Sequence, residues 1–300
     1  MAFQDKILEI LTEEQILLKE PMSRHTTFRV GGPADYYLMP AKEQIGGVLQ
    51  ICREEGVPVQ VIGNGSNLLV GDRGIRGAVV EIGSRFSEVS VEGTMLYAQG
   101  GVSLARAAQE AARAGLGGLE FASGIPGSVG GAVVMNAGAY GGEMKDVLAW
   151  ALVLDGNLAV RKLSLEELEL SYRHSVIPDM GGTVLKAAFQ LEPEEEDLIR
   201  ARMELLRNQR TQKQPLEYAS AGSTFKRPQG YFAGKLIMDA GMRGYRVGDA
   251  QVSEKHCGFV INRGQATAAE ILQLIEDVRR AVKEQFGVEL EPEVRMIGEF

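Results

Sequence analysis

The sequence carries its densest glycine run, GIPGSVGGA, at residues 124–132, and the run NAGAYGG follows at residues 136–142. Glycine has no Cβ and tolerates positive φ, so a ligand can approach the backbone of such a loop closely. Successive backbone N–H groups in a loop of this kind form a concave site for an anion. The shorter run IGNGSNLL at residues 62–69 follows an apolar strand and has the same character. Two such loops are suited to clamp the two phosphates of one dinucleotide.

Each glycine run by itself is slightly more typical of an ordinary turn in a protein of mixed helices and strands than of a phosphate-binding loop. Two known nucleotide-binding patterns are absent from the sequence. Residues 230–235 have the wrong spacing for a GxxxxGK[ST] loop, and the GxGxxG pattern does not occur. A dinucleotide bound by this chain is therefore not expected on a Rossmann turn.

Composition excludes several classes of protein. The 300 residues include 40 acidic and 32 basic side chains, a formal net charge of -8, which disfavours nonspecific binding to nucleic acid or to an anionic membrane. The two cysteines, Cys52 and Cys257, are too far apart for a CxxC metal site, and their number fits a reducing compartment. No run of 18 apolar residues occurs, and the N-terminal segment does not resemble a signal peptide. We expect a cytoplasmic protein without a nucleic-acid or membrane partner.

Local patterns predict helices and strands throughout the chain. Apolar spacing and end signals predict helices over residues 5–19, 42–55, 103–114, 194–210 and 267–287, the last with a capping box formed by Thr267 and Glu270. Runs of β-branched residues predict strands over residues 57–62 and 78–82 and hairpins over residues 89–99 and 152–162. The fold class is therefore α+β, and the chain is expected to divide into three domains, at residues 1–85, 86–193 and 194–300.

Few residues stand out as catalytic from spacing alone. The three histidines, His25, His174 and His256, are too scattered to predict a metal site, and no GxSxG elbow is present. From spacing alone, the polar clusters at residues 171–175, 221–226 and 291–295 are better explained as a solvated loop, an ordinary turn and an exposed edge strand, respectively.

Taken together and in order, these segments resemble the UDP-N-acetylenolpyruvoylglucosamine reductases, flavoenzymes of bacterial peptidoglycan synthesis and cell-wall biogenesis. The resemblance extends over nearly the whole chain. It rests on HTTFRVGGPA at 25–34, GNGSN at 63–67, GIPGSVGG at 124–131, NAGAYG at 136–141, Tyr172-Arg173, AGSTFK at 221–226, QVSEKH at 251–256 and EPEV at 291–294. Any one of these motifs is weak, and the ordered set is specific.

The resemblance implies the two-subdomain FAD-binding fold of the p-cresol methylhydroxylase type, followed by a C-terminal α+β substrate-binding domain whose last strand returns to the active site. Non-covalently bound FAD is implied between residues 1–85 and 86–193. The glycine loops would meet its pyrophosphate, and the implied cofactor-binding residues are Gly63, Asn64, Gly65, Ser66, Asn67, Gly124, Ile125, Pro126, Gly127, Ser128, Gly130, Gly131, Asn136 and Gly138.

The implied reaction has two halves, in which NADPH reduces the flavin and the enolpyruvyl ether of a UDP-sugar is then reduced to a lactyl ether. By resemblance, Ser223 is the proton donor, Arg173 stabilises the enolate-like intermediate and Glu293 polarises it. A guanidinium suits this task because its fork donates two hydrogen bonds to a carboxylate. Lys213 and Tyr172 are implied to bind the substrate.

Two departures from the family pattern limit what is carried over. Only residues 174–182 separate Arg173 from the next predicted strand, so the chain resembles the subclass that lacks an inserted loop with a lid tyrosine. Arg227 follows Lys226 where other members have asparagine, so uridine contacts are not carried over. A monomer is expected. Two alternatives stay open, namely another FAD-dependent oxidase or dehydrogenase on the same fold, and a non-catalytic module that binds a nucleotide or flavin.

Overall fold

A computed structural model describes residues 3–300 and divides the chain into two compact units. Each unit is assembled from several separate stretches of sequence. The first comprises the described residues up to Leu17, then Tyr36–Asn64 and Gly77–Arg210, and the second comprises Leu18–Asp35, Gly65–Arg76 and Thr211–Phe300.

The described residues form helices of 5 to 19 residues. These are α1 (Phe3–Ile7), α2 (Ile45–Glu54), α3 (Leu104–Arg113), α4 (Val129–Val134), α5 (Glu196–Lys213), α6 (Ala233–Asp239) and α7 (Ala268–Phe286). The strands of the first half are β1 (Ile16–Pro21), β2 (Pro33–Leu38), β3 (Val59–Ile62), β4 (Leu68–Val70), β5 (Ile75–Glu81), β6 (Val89–Glu92), β7 (Met95–Gln99), β8 (Leu116–Gly117), β9 (Gly138–Ala139) and β10 (Gly142–Glu143). Those of the second half are β11 (Leu148–Leu154), β12 (Val160–Ser164), β13 (Thr183–Gln190), β14 (Glu192–Pro193), β15 (Arg246–Val247), β16 (Ala250–Val252), β17 (Val260–Asn262) and β18 (Arg295–Ile297).

A five-stranded antiparallel sheet is the centre of the first unit, in the order β12-β11-β13-β7-β6. Its two hairpins form where turn residues interrupt apolar runs. Gly93, with φ +59, turns the β6–β7 hairpin, and Asp155 holds the other turn by accepting hydrogen bonds from the N–H groups of Asn157 and Ala159, both at 2.9 Å. The alanine-rich face of α3 and the short helix α4 pack on this sheet and close a core that includes Leu96, Val129 and Phe189.

The first unit has a second hydrophobic core, which is formed mainly by residues before 87. There β3 pairs in parallel with β5, and α2 buries Ile45, Val48 and Cys52 on one side. Leu154 and Leu185 complete this core. The first unit therefore contains two hydrophobic clusters, one built largely from residues before 87 and the other from residues 96–191.

The second unit is built around α7. Thr267 Oγ1 accepts a hydrogen bond from the Glu270 N–H at 3.1 Å, the Glu270 carboxylate accepts one from the Thr267 N–H at 3.1 Å, and Gly287 ends the helix with φ +68. The apolar face of α7 packs on the three-stranded antiparallel sheet β15-β16-β17. The C-terminal strand β18 pairs in parallel with β4, so the end of the chain returns to residues 68–70.

Most of the predicted elements are confirmed, with ends shifted by a few residues. The predicted helix over residues 5–19 is wrong, because α1 ends at Ile7 and β1 begins at Ile16. The Leu11 N–H bonds to the Ile7 carbonyl at 2.8 Å, which closes a turn directly after α1. Ile7 and Leu11 are buried, so apolar spacing continues across a boundary that only tertiary packing reveals.

Two further expectations concern the chain as a whole. Cys52 and Cys257 are both buried free cysteines. Among residues 3–300, no helix is long and apolar enough to cross a lipid bilayer.

Candidate functional site

The two glycine runs meet within the first unit. Asn64 Nδ2 donates a hydrogen bond to the Pro126 carbonyl oxygen at 3.5 Å, and a Cβ added at Gly63 would overlap the hydroxyl oxygen of Ser128. A side chain at Gly63 would therefore force the Ser128 side chain to move, and glycine avoids this overlap. Residues 62 to 65 positions apart in the sequence thus form one surface of side-chain-poor backbone, as the predicted dinucleotide clamp would require.

The loop at residues 124–131 is fixed by backbone hydrogen bonds to residues 100–104. The Leu104 N–H donates to the Gly127 carbonyl at 3.0 Å, and the Gly130 N–H donates to the Gly100 carbonyl at 2.8 Å. The Ile125 N–H donates to the Ala122 carbonyl at 3.0 Å. The amides of Ile125 and Gly130 are thus engaged inside the protein, so these two residues shape the loop.

Ser128 occupies the N-cap of α4. Its side chain is buried and its Oγ accepts a hydrogen bond from the Gly131 N–H at 3.4 Å. The hydroxyl is therefore engaged by the helix that follows the loop. The cofactor contact predicted for Ser128 would fall to its main chain.

The glycine run at residues 62–69 is divided between the two units, and its residues from Gly65 onward belong to the second unit. Gly65 has φ +59, and a Cβ there would overlap the carbonyl oxygen of His25. Its own carbonyl accepts a hydrogen bond from the Thr27 N–H at 3.3 Å. The HTTFRVGGPA segment at 25–34 thus packs on the backbone of the glycine run at residues 62–69.

Asn67 connects this run to the predicted acid. Its Nδ2 donates to the Glu293 carbonyl oxygen at 3.0 Å, and the Arg295 N–H donates to the Asn67 carbonyl at 3.0 Å. These bonds continue the β4–β18 pairing. The predicted return of the last strand therefore brings Glu293 beside a predicted cofactor-binding residue.

The segments that contain Ser223 and Glu293 are joined by a backbone hydrogen bond at Thr224, the residue after Ser223. The Thr224 carbonyl accepts a hydrogen bond from the Glu293 N–H at 2.8 Å. On its other edge, Thr224 Oγ1 accepts from the Val260 N–H at 2.9 Å. Thr224 is completely buried, whereas Ser223 is exposed and Glu293 is half-buried. The structure thus joins these two predicted catalytic segments through the backbone and presents the Ser223 side chain to solvent.

A loop that sequence reasoning left without a role lies beside Ser223. The Gly258 carbonyl accepts a hydrogen bond from the Thr224 N–H at 2.8 Å, and the Gly258 N–H donates to His256 Nδ1 at 3.1 Å. Burial lowers the pKa of the His256 imidazole, so its neutral form is favoured. The QVSEKH motif at 251–256 marks this loop in the sequence, but nothing in its spacing predicts that the loop bonds to Thr224.

Arg173 and Tyr172 belong to the first unit. They form the tip of a tight turn in which the N–H groups of Ser171 and His174 each donate to the other residue's carbonyl at 3.2 Å. Arg173 has φ +57, a left-handed conformation that is unfavourable for a residue with a Cβ. Its guanidinium carbon lies 4.9 Å from the centre of the Tyr172 ring.

The remaining predicted residues differ in their surroundings. Asn136 is completely buried, and its side-chain amide bonds to Glu143, Lys145 and Ser171. Gly138 lies in β9, paired with Glu143 in β10. Lys213 is exposed at the end of α5, and β13 begins at Thr183, which leaves the short connection predicted after Arg173.

Comparison with known proteins gives a consistent result. Residues 34–164 match a family model described as an FAD binding domain, and residues 214–297 match one described as the C-terminal domain of UDP-N-acetylenolpyruvoylglucosamine reductase. A UDP-N-acetylenolpyruvoylglucosamine reductase of Agathobacter rectalis is 57% identical, with 100% of this chain and 99% of the relative covered. One of Lachnoclostridium phytofermentans is 54% identical over 98% of this chain and 96% of its own.

A solved structure agrees with the sequence relatives. The crystal structure of the UDP-N-acetylenolpyruvylglucosamine reductase of Thermus caldophilus superimposes with a TM-score of 0.80 at 38% identity, covering 94% of this chain and 97% of that one. The FAD-binding fold and the C-terminal α+β domain predicted from the motifs are confirmed by these matches. The chain belongs to the UDP-N-acetylenolpyruvoylglucosamine reductase family.

Proposed function

We propose that this chain reduces the enolpyruvyl ether of UDP-N-acetylglucosamine to the lactyl ether, which gives UDP-N-acetylmuramate for peptidoglycan synthesis. The observation that carries the proposal is the arrangement around Glu293. Asn67, from a predicted cofactor loop, bonds to Glu293, and Thr224, which follows the predicted proton donor, bonds to the same residue. The segments for which we propose cofactor binding, proton donation and polarisation therefore contact one another within the second unit, which supports the proposal. Family membership supports the substrate.

The glycine runs fit FAD as the cofactor. Gly63 and Asn64 lie against Pro126 and Ser128, which leaves a surface of backbone where side chains would block a pyrophosphate. The match of residues 34–164 to an FAD binding domain supports this fit. When bound, FAD supplies the hydride chemistry, with NADPH as the proposed donor and the methylene carbon of the enolpyruvyl group as the acceptor.

The protein's own residues supply charge and a proton. Arg173 is proposed to stabilise the negative charge that develops on the substrate carboxylate after hydride arrives. The Ser223 hydroxyl is proposed to give its proton to the adjacent carbon, which completes the lactyl group, and exposure of Ser223 allows water to restore that proton. Glu293 is proposed to polarise the intermediate, while Lys213 and Tyr172 contact the substrate.

The same proposal covers the organisation of the chain. We assign residues 1–85 and 86–193 to two FAD-binding subdomains and residues 194–300 to substrate binding. The two hydrophobic clusters of the first unit support a division near residue 86, whereas Leu18–Asp35 and Gly65–Arg76 belong to the second unit. The protein is proposed to act as a cytoplasmic monomer, and the acidic net charge of -8 agrees with the absence of a nucleic-acid partner.

The competing function is that of another FAD-dependent oxidase or dehydrogenase. An oxidase has no need to protonate an enolate, so the Ser223 and Glu293 segments favour the reductase. The test is to reduce the protein's flavin anaerobically and add the enolpyruvyl nucleotide. Reoxidation with formation of UDP-N-acetylmuramate supports the reductase. A flavin that stays reduced until oxygen or another acceptor is added favours the alternative.

A further inference from the structure

The side-chain amide of Asn136 is completely buried and makes three hydrogen bonds, to residues 7, 9 and 35 positions further along the chain. Its Nδ2 donates to the Ser171 carbonyl at 3.1 Å and to Glu143 Oε2 at 2.6 Å, while its Oδ1 accepts from the Lys145 N–H at 2.9 Å. A carboxamide provides both donors and the acceptor in one group of this size. Asn136 itself has φ +42, a conformation that asparagine tolerates better than most residues.

The Ser171 carbonyl is also the acceptor that closes the turn carrying Arg173. It receives the His174 N–H at 3.2 Å, so one oxygen bonds both to the turn and to Asn136. After the turn, Ser175 Oγ donates to the Val134 carbonyl at 2.7 Å. The end of α4 therefore fixes the turn on both sides of Arg173.

Such fixing matters because Arg173 has the left-handed backbone conformation, φ +57. Backbone of this kind persists where its surroundings over-determine it, and it is frequent at functional sites. The helix that holds the turn also follows the glycine loop at residues 124–131. One short helix thus connects a predicted cofactor loop with the predicted catalytic arginine.

We infer that Asn136 is a positioning residue for Arg173, and that its amide acts on the reaction through the 171–174 turn. This inference rests on the role proposed for Arg173. It differs from the cofactor contact implied for Asn136 by resemblance, because here the side chain is directed to the protein and acts in the substrate half-reaction.

The experiment measures the two half-reactions separately on FAD-loaded protein. The flavin is reduced either by NADPH or by dithionite, and its reoxidation by the enolpyruvyl nucleotide is followed without oxygen. Asn136→Gly tolerates φ +42 and removes the amide. Asn136→Asp keeps the acceptor and replaces the donor nitrogen by an oxygen, which faces the Ser171 carbonyl and the Glu143 carboxylate. We expect both variants to slow reoxidation by about 10- to 100-fold, as for a misplaced catalytic group, and to change reduction by NADPH less than about threefold.

The control is Glu143→Ala, which removes the other acceptor of Asn136 and leaves the bond to Ser171, and we expect reoxidation within about threefold of the parent protein. Arg173→Lys provides the coupling test. If Asn136 acts through Arg173, adding Asn136→Gly to Arg173→Lys has little further effect on reoxidation.

Each other outcome overturns the inference. Effects that multiply in the double variant, equal slowing of both half-reactions, or loss of FAD from both Asn136 variants would show that Asn136 serves the fold or the cofactor. Failure of the proposed function gives a different result, since the parent protein would then not be reoxidised, or Arg173→Lys would react at the parent rate.

Discussion

Asn67 Nδ2 donates a hydrogen bond to the main-chain carbonyl of Glu293 at 3.0 Å, across 226 positions of sequence. The bond ties a predicted flavin-binding residue to the segment that carries the predicted acid. We therefore expect a single substitution at Asn67 to affect both FAD binding and the position of Glu293.

We expect Asn67→Ala to weaken FAD retention and to slow flavin reoxidation by substrate by about 10- to 100-fold, because Glu293 loses its support. Cofactor content after gel filtration and single-turnover reoxidation measure the two effects. Glu291→Ala is the matched control, since it breaks only an exposed ion pair with Lys226, worth about 0–1 kcal/mol. Retention and reoxidation that change separately in Asn67→Ala would contradict the shared role.

Ser223→Ala is expected to leave reduction of the flavin by NADPH nearly intact and to slow reoxidation by substrate by roughly 10²–10⁴-fold, the usual range for a lost proton donor. The exposed position of Ser223 predicts that the protein stays folded. Stopped-flow absorption of each half-reaction provides the measurement. Equal loss in both halves would be incompatible with a role in proton transfer.

Gly63→Ala tests the approach of the two glycine runs. Overlap of the new Cβ with Ser128 Oγ is expected to cost about 1–3 kcal/mol of stability and to reduce FAD retention. Ser128→Ala removes that oxygen, so the double variant should be more stable than the sum of the two single effects, measured by thermal unfolding. Gly46→Ala is the control, because an added Cβ there meets no atom within 4 Å. Simple additivity would count against the contact.

Cysteine reactivity tests the core of the first unit. Burial raises the pKa of the Cys52 thiol to about 11, so at pH 8 less of the reactive thiolate exists than for a free cysteine. In Cys257→Ser protein at pH 8, we expect a maleimide to leave the buried Cys52 unmodified until denaturant is added. Rapid labelling of the folded protein at pH 8 would contradict the described packing.

Sequence patterns predicted those helix ends and turns that are determined by interactions between neighbouring residues. The capping box at Thr267 and the hairpin turn at Gly93 are decided within a few residues, and both are confirmed. The segment 5–19 was wrongly predicted because the strand beginning at Ile16 is set by tertiary packing, while its apolar spacing also fits a helix.

The candidate site shows the same division. The motif set predicted the family correctly, since the ordered motifs carry their own signal. It gave no indication that Thr224 bonds to both Glu293 and Gly258, or that Asn136 holds Ser171, because such hydrogen bonds connect residues 34 to 69 positions apart. Hydrogen bonds between residues so far apart produce no periodic pattern in a single sequence, so they cannot be predicted from it.

The central claim is tested most directly by the absorption spectrum of the purified holoprotein during one anaerobic cycle. The account predicts a flavin spectrum that bleaches on addition of NADPH and returns on addition of the enolpyruvyl nucleotide, with one equivalent of UDP-N-acetylmuramate formed per flavin. A protein that takes up no FAD, or a reduced flavin that the nucleotide leaves unchanged, would contradict it.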